Sequence, residues 1–261
     1  MEGTEYRVTY FSDGFFGYGE SGDFKQWTLM HFAPIATAII AIVLIGIFRN
    51  KLKNWKYEKN FRFIFAFVMI ICEMSYFWRL IYVGPVSTYV EKSMMTRLPL
   101  QICQWTLIAT TFMMMRKSKL LFSMCFFLTM SVGLLPMLMP AVITNTGPSY
   151  YRYYQYWCEH LLPVVGVYYM LFVHEFEPKW TGIPAALAML ILIAIPAIYC
   201  NSIIPEADYL YLKHDQYPML SFLPDSPYLT LAIYCAIIIP LFAADLLIYR
   251  LVTKKKLAKA A

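Results

Sequence analysis

The sequence predicts an all-α polytopic membrane protein with seven transmembrane helices, its N-terminus outside and its C-terminus cytoplasmic. Three observations predict it. Hydrophobic residues fill 60% of the 261 positions, with a mean hydropathy of +0.54. Seven apolar runs approach the ~20 residues that cross a hydrocarbon core about 30 Å thick. The lysines and arginines sort to one side of those runs.

The expected spans are Trp27–Phe48, Phe61–Val83, Leu98–Met115, Leu120–Met139, Tyr154–Val173, Gly182–Cys200 and Pro227–Leu251. Helices are required because lipid offers no partner for open backbone groups. The runs are too continuously apolar for the alternating strands of a barrel. One set of connections carries Arg49, Lys51, Lys53, Lys56, Lys59, Arg62, Arg116, Lys117, Lys119, Lys179, Arg250, Lys254, Lys255, Lys256 and Lys259. The other carries only Arg7, Lys25, Lys92, Arg97, Arg152 and Lys213. The positive-inside rule therefore places the first set in the cytoplasm, and an odd number of spans puts the termini on opposite sides. The chain divides into an extracellular segment over 1–26, a membrane domain over 27–251 and a basic cytoplasmic tail over 252–261.

The net charge of +6 is a membrane-surface charge, attracted by anionic lipid, and it points to no nucleic acid. The first 26 residues are polar and acidic, unlike a cleavable signal. The six cysteines, at 72, 103, 125, 158, 200 and 235, lie in or near spans without paired spacing. They suggest neither a disulfide framework nor a zinc motif. With no Walker pattern, no lysine inside a span and no spaced His/Cys set, the expectation is no cofactor and no metal.

Polar residues recur near one depth. Gln101 and Cys103 lie roughly 5–8 Å below the outer end of the third span, His160 about 9 Å below that of the fifth, and His31 and Arg79 each about 6 Å below theirs. Asn201 follows the sixth span. Ionisable groups in a span are costly and usually face a bundle interior or a wet cavity, so a polar chamber open toward the outer leaflet is expected. Each group also has a plainer explanation: His31 and Arg79 as interfacial snorkels, Cys103 as small packing, Glu73 and Asp245 as hydrogen-bonded glue between helices. His160 is the strongest candidate, being deep and of a type suited to proton transfer near neutral pH.

At about 100° per residue, Tyr153, Tyr156, Trp157, His160 and Val164 form one stripe. Gln101, Gln104 and Trp105 share a face of the third span, and Cys103 points about 200° away from Gln101. In a regular helix the amide and the thiol do not face one chamber together.

The segments "LPLQIC" (98–103), "YYRYYQYWCEHLLPVVGVYYML" (150–171) and "ADYLYLKHDQYPMLSFLPDSPYL" (207–229) resemble the signatures of the YwaF-type bacterial integral membrane proteins, a family related to the eukaryotic transmembrane protein 164. The family pattern resembles Leu-Pro-Leu-His-Leu-Cys with a later histidine in an aromatic helix. Cys103 and His160 match. Gln101 stands where many members have His, and Asp208-Tyr209 where they tend to have Asn-Tyr. The resemblance implies acyl transfer or lipid-ester hydrolysis on a membrane lipid or lipid-linked substrate. In that reading His160 is the base, Cys103 the candidate nucleophile, and Gln101 or Arg79 the oxyanion or phosphate partner. His31, Gln104, Tyr156 and Trp157 contribute to substrate binding, with Asn201, Asp208 and Tyr209 as a lid. A receptor, binder or transporter of a small polar or amphiphilic ligand is the alternative, and a scaffold with no ligand is a third. The plasma membrane is the expected location, and the sequence fixes no oligomeric state.

Overall fold

The computed structural model describes residues 14–17, 24–83, 98–140, 146–205, 207–213 and 220–260. The rest of the expected outside segments 1–26, 84–97, 140–153 and 201–226 falls outside these residues. Seven principal helices order the described chain: α1 (Leu29–Lys53), α2 (Glu58–Val83), α3 (Ile102–Arg116), α4 (Lys119–Phe127), α5 (Tyr151–Val173), α6 (Gly182–Ile203) and α7 (Pro227–Ala260). A π-helical segment, Leu128–Val132, and a single turn, Leu135–Leu138, extend α4. Among the described residues there is no strand.

Six of these helices are long and apolar enough to cross a membrane, α4 with its extension included. The exception is α3. It spans 15 residues, about 22 Å, because residues 98–101 stay non-helical. Pro99 lacks an N–H and biases Leu98 away from helical angles, and Gln101 is extended (φ −95°, ψ 148°). At the other end, α7 runs on through Lys254–Lys256 to Ala260.

Helix α5 is the axis of the bundle and packs against α1, α2, α3 and α4. It is 72% buried over its most apolar window, against 11% for α1 and α7. It is also the least apolar of the six spans. Polar groups cost less where protein rather than lipid surrounds them, so they collect on the central helix. The outer helices instead show lipid Ile39, Ile40, Leu44, Ile237 and Leu247. Close approach relies on small residues. A Cβ on Gly182 would stand 2.5 Å from the Ser123 side chain and 2.6 Å from its backbone, which marks the α4–α6 crossing. One on Gly166 would stand 2.9 Å from Thr110 Cγ2, at the α3–α5 crossing.

The ends of α1, α2, α3 and α5 that carry the basic residues meet at one end of the bundle. Glu58 accepts from Arg62 Nε at 2.7 Å and from the Tyr169 hydroxyl at 3.2 Å, and pairs with His174 Nε2 at 2.6 Å. Lys117 Nζ lies 3.8 Å away. Arg62 also donates to the Met114 and Met115 carbonyls that end α3. Asp245 accepts from Ser131 at 2.5 Å, which joins α7 to the π segment of α4.

Candidate functional site

The site begins where α3 begins. Gln101 is the residue before the helix, and it forms a capping box with Gln104. Its N–H donates to Gln104 Oε1 at 3.2 Å. Because Gln101 lies outside the helix, the 200° separation expected of a regular helix does not fix its direction. Its side-chain oxygen accepts the Leu210 N–H at 3.1 Å, while Cys103, the second helical residue, turns to α5. The amide and the thiol therefore serve different neighbours.

The neighbour of Gln101 is the turn Tyr209–Tyr211. Leu210 and Tyr211 hold left-handed backbone (φ 58° and 54°), costly for residues with a branched or bulky side chain. Several bonds hold it there. Asn201 donates to the Tyr209 carbonyl at 3.0 Å and accepts the Tyr209 N–H at 2.8 Å. The Tyr209 hydroxyl accepts the Leu98 N–H at 2.8 Å, and the Tyr234 hydroxyl donates to the Tyr211 carbonyl at 3.1 Å. Asp208 Oδ1 accepts the Lys213 N–H at 2.9 Å. Asn201, Asp208 and Tyr209 thus form a braced strap beside the start of α3.

Helix α5 supplies the other half. Arg152, Gln155, Tyr156, Glu159 and His160 recur at helical spacing on one buried stripe. Cys103 Sγ donates to Glu159 Oε1 at 3.3 Å. Glu159 Oε2 accepts from Gln155 Nε2 at 3.0 Å and lies 3.5 Å from an Arg152 nitrogen. The Arg152 guanidinium also bonds Gln155 Oε1 and stacks 4.6 Å from the Tyr76 ring and 5.7 Å from the Tyr156 ring. His160 Nδ1 is 2.8 Å from the Tyr156 carbonyl. A carbonyl only accepts, so in the neutral ring Nδ1 carries the proton and Nε2 keeps its lone pair. Donor atoms of Cys103, Glu159 and His160 lie within 4.8 Å of one another. Next to this triad, Gln104 Nε2 donates to Glu73 Oε1 at 2.7 Å. Glu73 Oε2 is buried without a hydrogen-bond partner among the described residues, as is Trp157 Nε1.

Two expected members lie elsewhere. His31 takes the Trp27 N–H at Nδ1 (3.2 Å) and gives its Nε2 proton to the Met137 carbonyl (2.7 Å). It packs 5.7 Å from Trp157, which ties α1 to α5 and to the end of α4. Arg79 donates to the Phe16 carbonyl at 2.8 Å and to that of Gly17, which binds the 14–17 turn to α2. Tyr156 does both jobs: its ring lies 4.3 Å from that of His160 and its hydroxyl reaches the Pro136 carbonyl at 2.7 Å.

The polar groups converge from α2, α3 and α5, but into a packed cluster rather than a wide vestibule. Glu159 is 5% exposed and His160 7%. The groups satisfy one another, which is how buried charge is tolerated. An apolar groove of about 490 Å³ on the outer face of α2 and α3, lined by Phe63, Phe67, Ile70 and Met115 among others, is separate from it.

Sequence reasoning missed Glu159 and Arg152. A carboxylate beside His160 inside an apolar run was the available signal, since ionisable residues within spans are rare. Arg152 was hidden by its position at the start of the run, where it reads as a loop charge.

Chemically, the arrangement combines a thiol at a helix N-terminus with an imidazole lone pair, a carboxylate and a guanidinium. A family model described as the TMEM164 family matches residues 24–246, which contain every residue of this cluster. No curated protein and no solved structure matches the chain.

Proposed function

From the premise that the chain belongs to the TMEM164 family and is an integral membrane protein, we propose that it transfers or hydrolyses acyl groups of membrane lipids through Cys103. The observation that carries this reading is the meeting of the Cys103 thiol, Glu159 and His160 within 4.8 Å across two helices.

His160 takes the thiol proton, and the sulfur attacks the ester carbonyl carbon of a lipid. The C–S bond forms and the carbonyl oxygen gains negative charge. Arg152 and the first-turn N–H groups of α3 supply the nearby positive potential that such an oxyanion needs. When the C–O bond breaks, the leaving alcohol takes its proton from His160, and the acyl group remains as a thioester on Cys103. An acceptor hydroxyl then gives its proton to His160 and attacks the thioester, which restores the thiol. Water in place of that hydroxyl makes the reaction a hydrolysis. Dividing the exchange in this way replaces one hard step with two easier ones. Glu159 holds the thiol and offsets the charge of the imidazolium. The charge asymmetry of the connections supports a site in the outer leaflet, since Cys103 is at the end of α3 away from Arg116 and Lys117.

Glu73 Oε2 and Trp157 Nε1, without a hydrogen-bond partner among the described residues, favour a second reading, binding of a small polar ligand without chemistry. One experiment separates the two. Purified protein in phospholipid vesicles is expected to generate new lipid species by mass and a hydroxylamine-labile acyl adduct on Cys103. Cys103→Ala and His160→Ala should abolish both. Unchanged lipids with a ligand-dependent rise in melting temperature would leave only the binder.

A further inference from the structure

We infer that Cys103, Glu159 and His160 also form a binding site for a zinc ion, and that the ion and an acyl group compete for the same sulfur. Sulfur, imidazole nitrogen and carboxylate oxygen form a donor set suited to zinc, and thiolate and imidazole disfavour magnesium and calcium. Donors around a tetrahedral zinc are about 3.4–3.6 Å apart at ordinary bond lengths. Cys103 Sγ and Glu159 Oε1 are already 3.3 Å apart, and all three donors lie within 4.8 Å. About 1 Å of side-chain movement closes the set around an ion.

What distinguishes this cluster from a chance grouping is that the other polar atom of each bifunctional ligand is held. His160 Nδ1 is bonded to the Tyr156 carbonyl, which leaves Nε2 for the ion. Glu159 Oε2 is bonded to Gln155 and faces Arg152, which leaves Oε1. Such outer contacts orient metal ligands and set their basicity. Binding replaces the Cys103 S–H bond by S–Zn and releases one proton to solvent. Thiolate and carboxylate then balance the dication, and a water completes the fourth position. Arg152 opposes the ion as a like charge, which keeps the affinity reversible rather than permanent.

The competition rests on the acyl-transfer reading, whereas the site itself does not. Coordination draws electron density from the sulfur and occupies the His160 Nε2 lone pair that would take the thiol proton, so the zinc-loaded protein is the resting form.

The test uses full-length protein in detergent, stripped by chelator and titrated with Zn²⁺ or Cd²⁺ alone. One ion per chain is expected, with a thiolate-to-cadmium charge-transfer band in the ultraviolet. Cys103→Ser should lose the band and weaken binding by at least ~10- to 100-fold, the range seen for outer-shell partners alone. The double variant Arg152→Gln/Glu159→Gln, which removes a buried charge pair together, should weaken binding while it keeps the fold. Equal affinity in wild type and Cys103→Ser, or no ion bound by wild type, overturns the inference. Ion binding without lipid turnover would sink the acyl-transfer reading and leave the metal site. Turnover without ion binding would do the reverse.

Discussion

The Cys103 thiol donates to Glu159 Oε1 at 3.3 Å, while the other oxygen of the same carboxylate faces Arg152 at 3.5 Å. One buried side chain on α5 thus holds the thiol of α3 and faces the Arg152 guanidinium of its own helix. Glu159→Gln keeps the shape and leaves Arg152 buried without its counter-charge. Breaking such a pair costs about 3–5 kcal/mol. A marked fall in melting temperature in detergent is expected, partly reversed when Arg152→Gln is added. An unchanged melting temperature in the single variant would mean that the pair carries no stability.

Gln101 is expected to act as a brace rather than as a proton carrier. Gln101→Ala removes the capping box and the acceptor for the Leu210 N–H, at a cost of about 1–2 kcal/mol. Amide exchange over 207–213 should accelerate. The pH profile of Cys103 alkylation should keep its midpoint, whereas His160→Asn should move it. A shifted midpoint in Gln101→Ala would assign the amide a part in the chemistry.

Gly182 leaves less room for a Cβ than Gly166 does. In Gly182→Ala the new methyl meets Ser123 backbone at 2.6 Å, which a rotamer change cannot relieve. The α4–α6 contact must open, with an expected loss of about 1–3 kcal/mol read as a lower melting temperature. Gly166→Ala meets only a threonine methyl group at 2.9 Å and should be milder. Equal effects would place the constraint elsewhere.

At the basic end, His174 ionises below the ordinary histidine range. Burial is the largest cause, and Lys117 and Arg62 add repulsion against the pull of the Glu58 hydrogen bond. The unfolded chain therefore binds this proton first as pH falls. The stability from neutral His174 is present above about pH 6.5 and declines below it. Melting temperatures at about pH 7.5 and 5.5 should differ in wild type, with a smaller difference in His174→Asn. An unaltered slope in the variant would remove His174 as the cause.

The helices were legible because lipid imposes a simple demand on sequence: a long apolar run with its backbone bonded internally. Every expected run contains a helix; most ends moved by a few residues where flanking polar residues continue the turn, as at Tyr151 and Ile203, while α7 runs on from the expected Leu251 to Ala260. The length of α3 was misread. Leu98, Leu100 and their neighbours are apolar enough to continue a span, but hydropathy does not register that Pro99 and the extended Gln101 hold them out of the helix. His160 and Cys103 were singled out as unusual types at one depth, and Glu159, their shared neighbour, was passed over.

By itself, the sequence determined that this is a helical membrane protein, which of its ends gathers positive charge, and that a thiol and an imidazole lie near one depth. Those properties depend on residue type and spacing along a single helix. Only the tertiary structure decided that Cys103 rather than Gln101 turns to α5, that Glu159 and Arg152 join it, and that His31 and Arg79 bond to the Met137 and Phe16 carbonyls. Each of those outcomes depends on the rotation of one helix against another, and packing fixes that rotation between segments far apart in the chain.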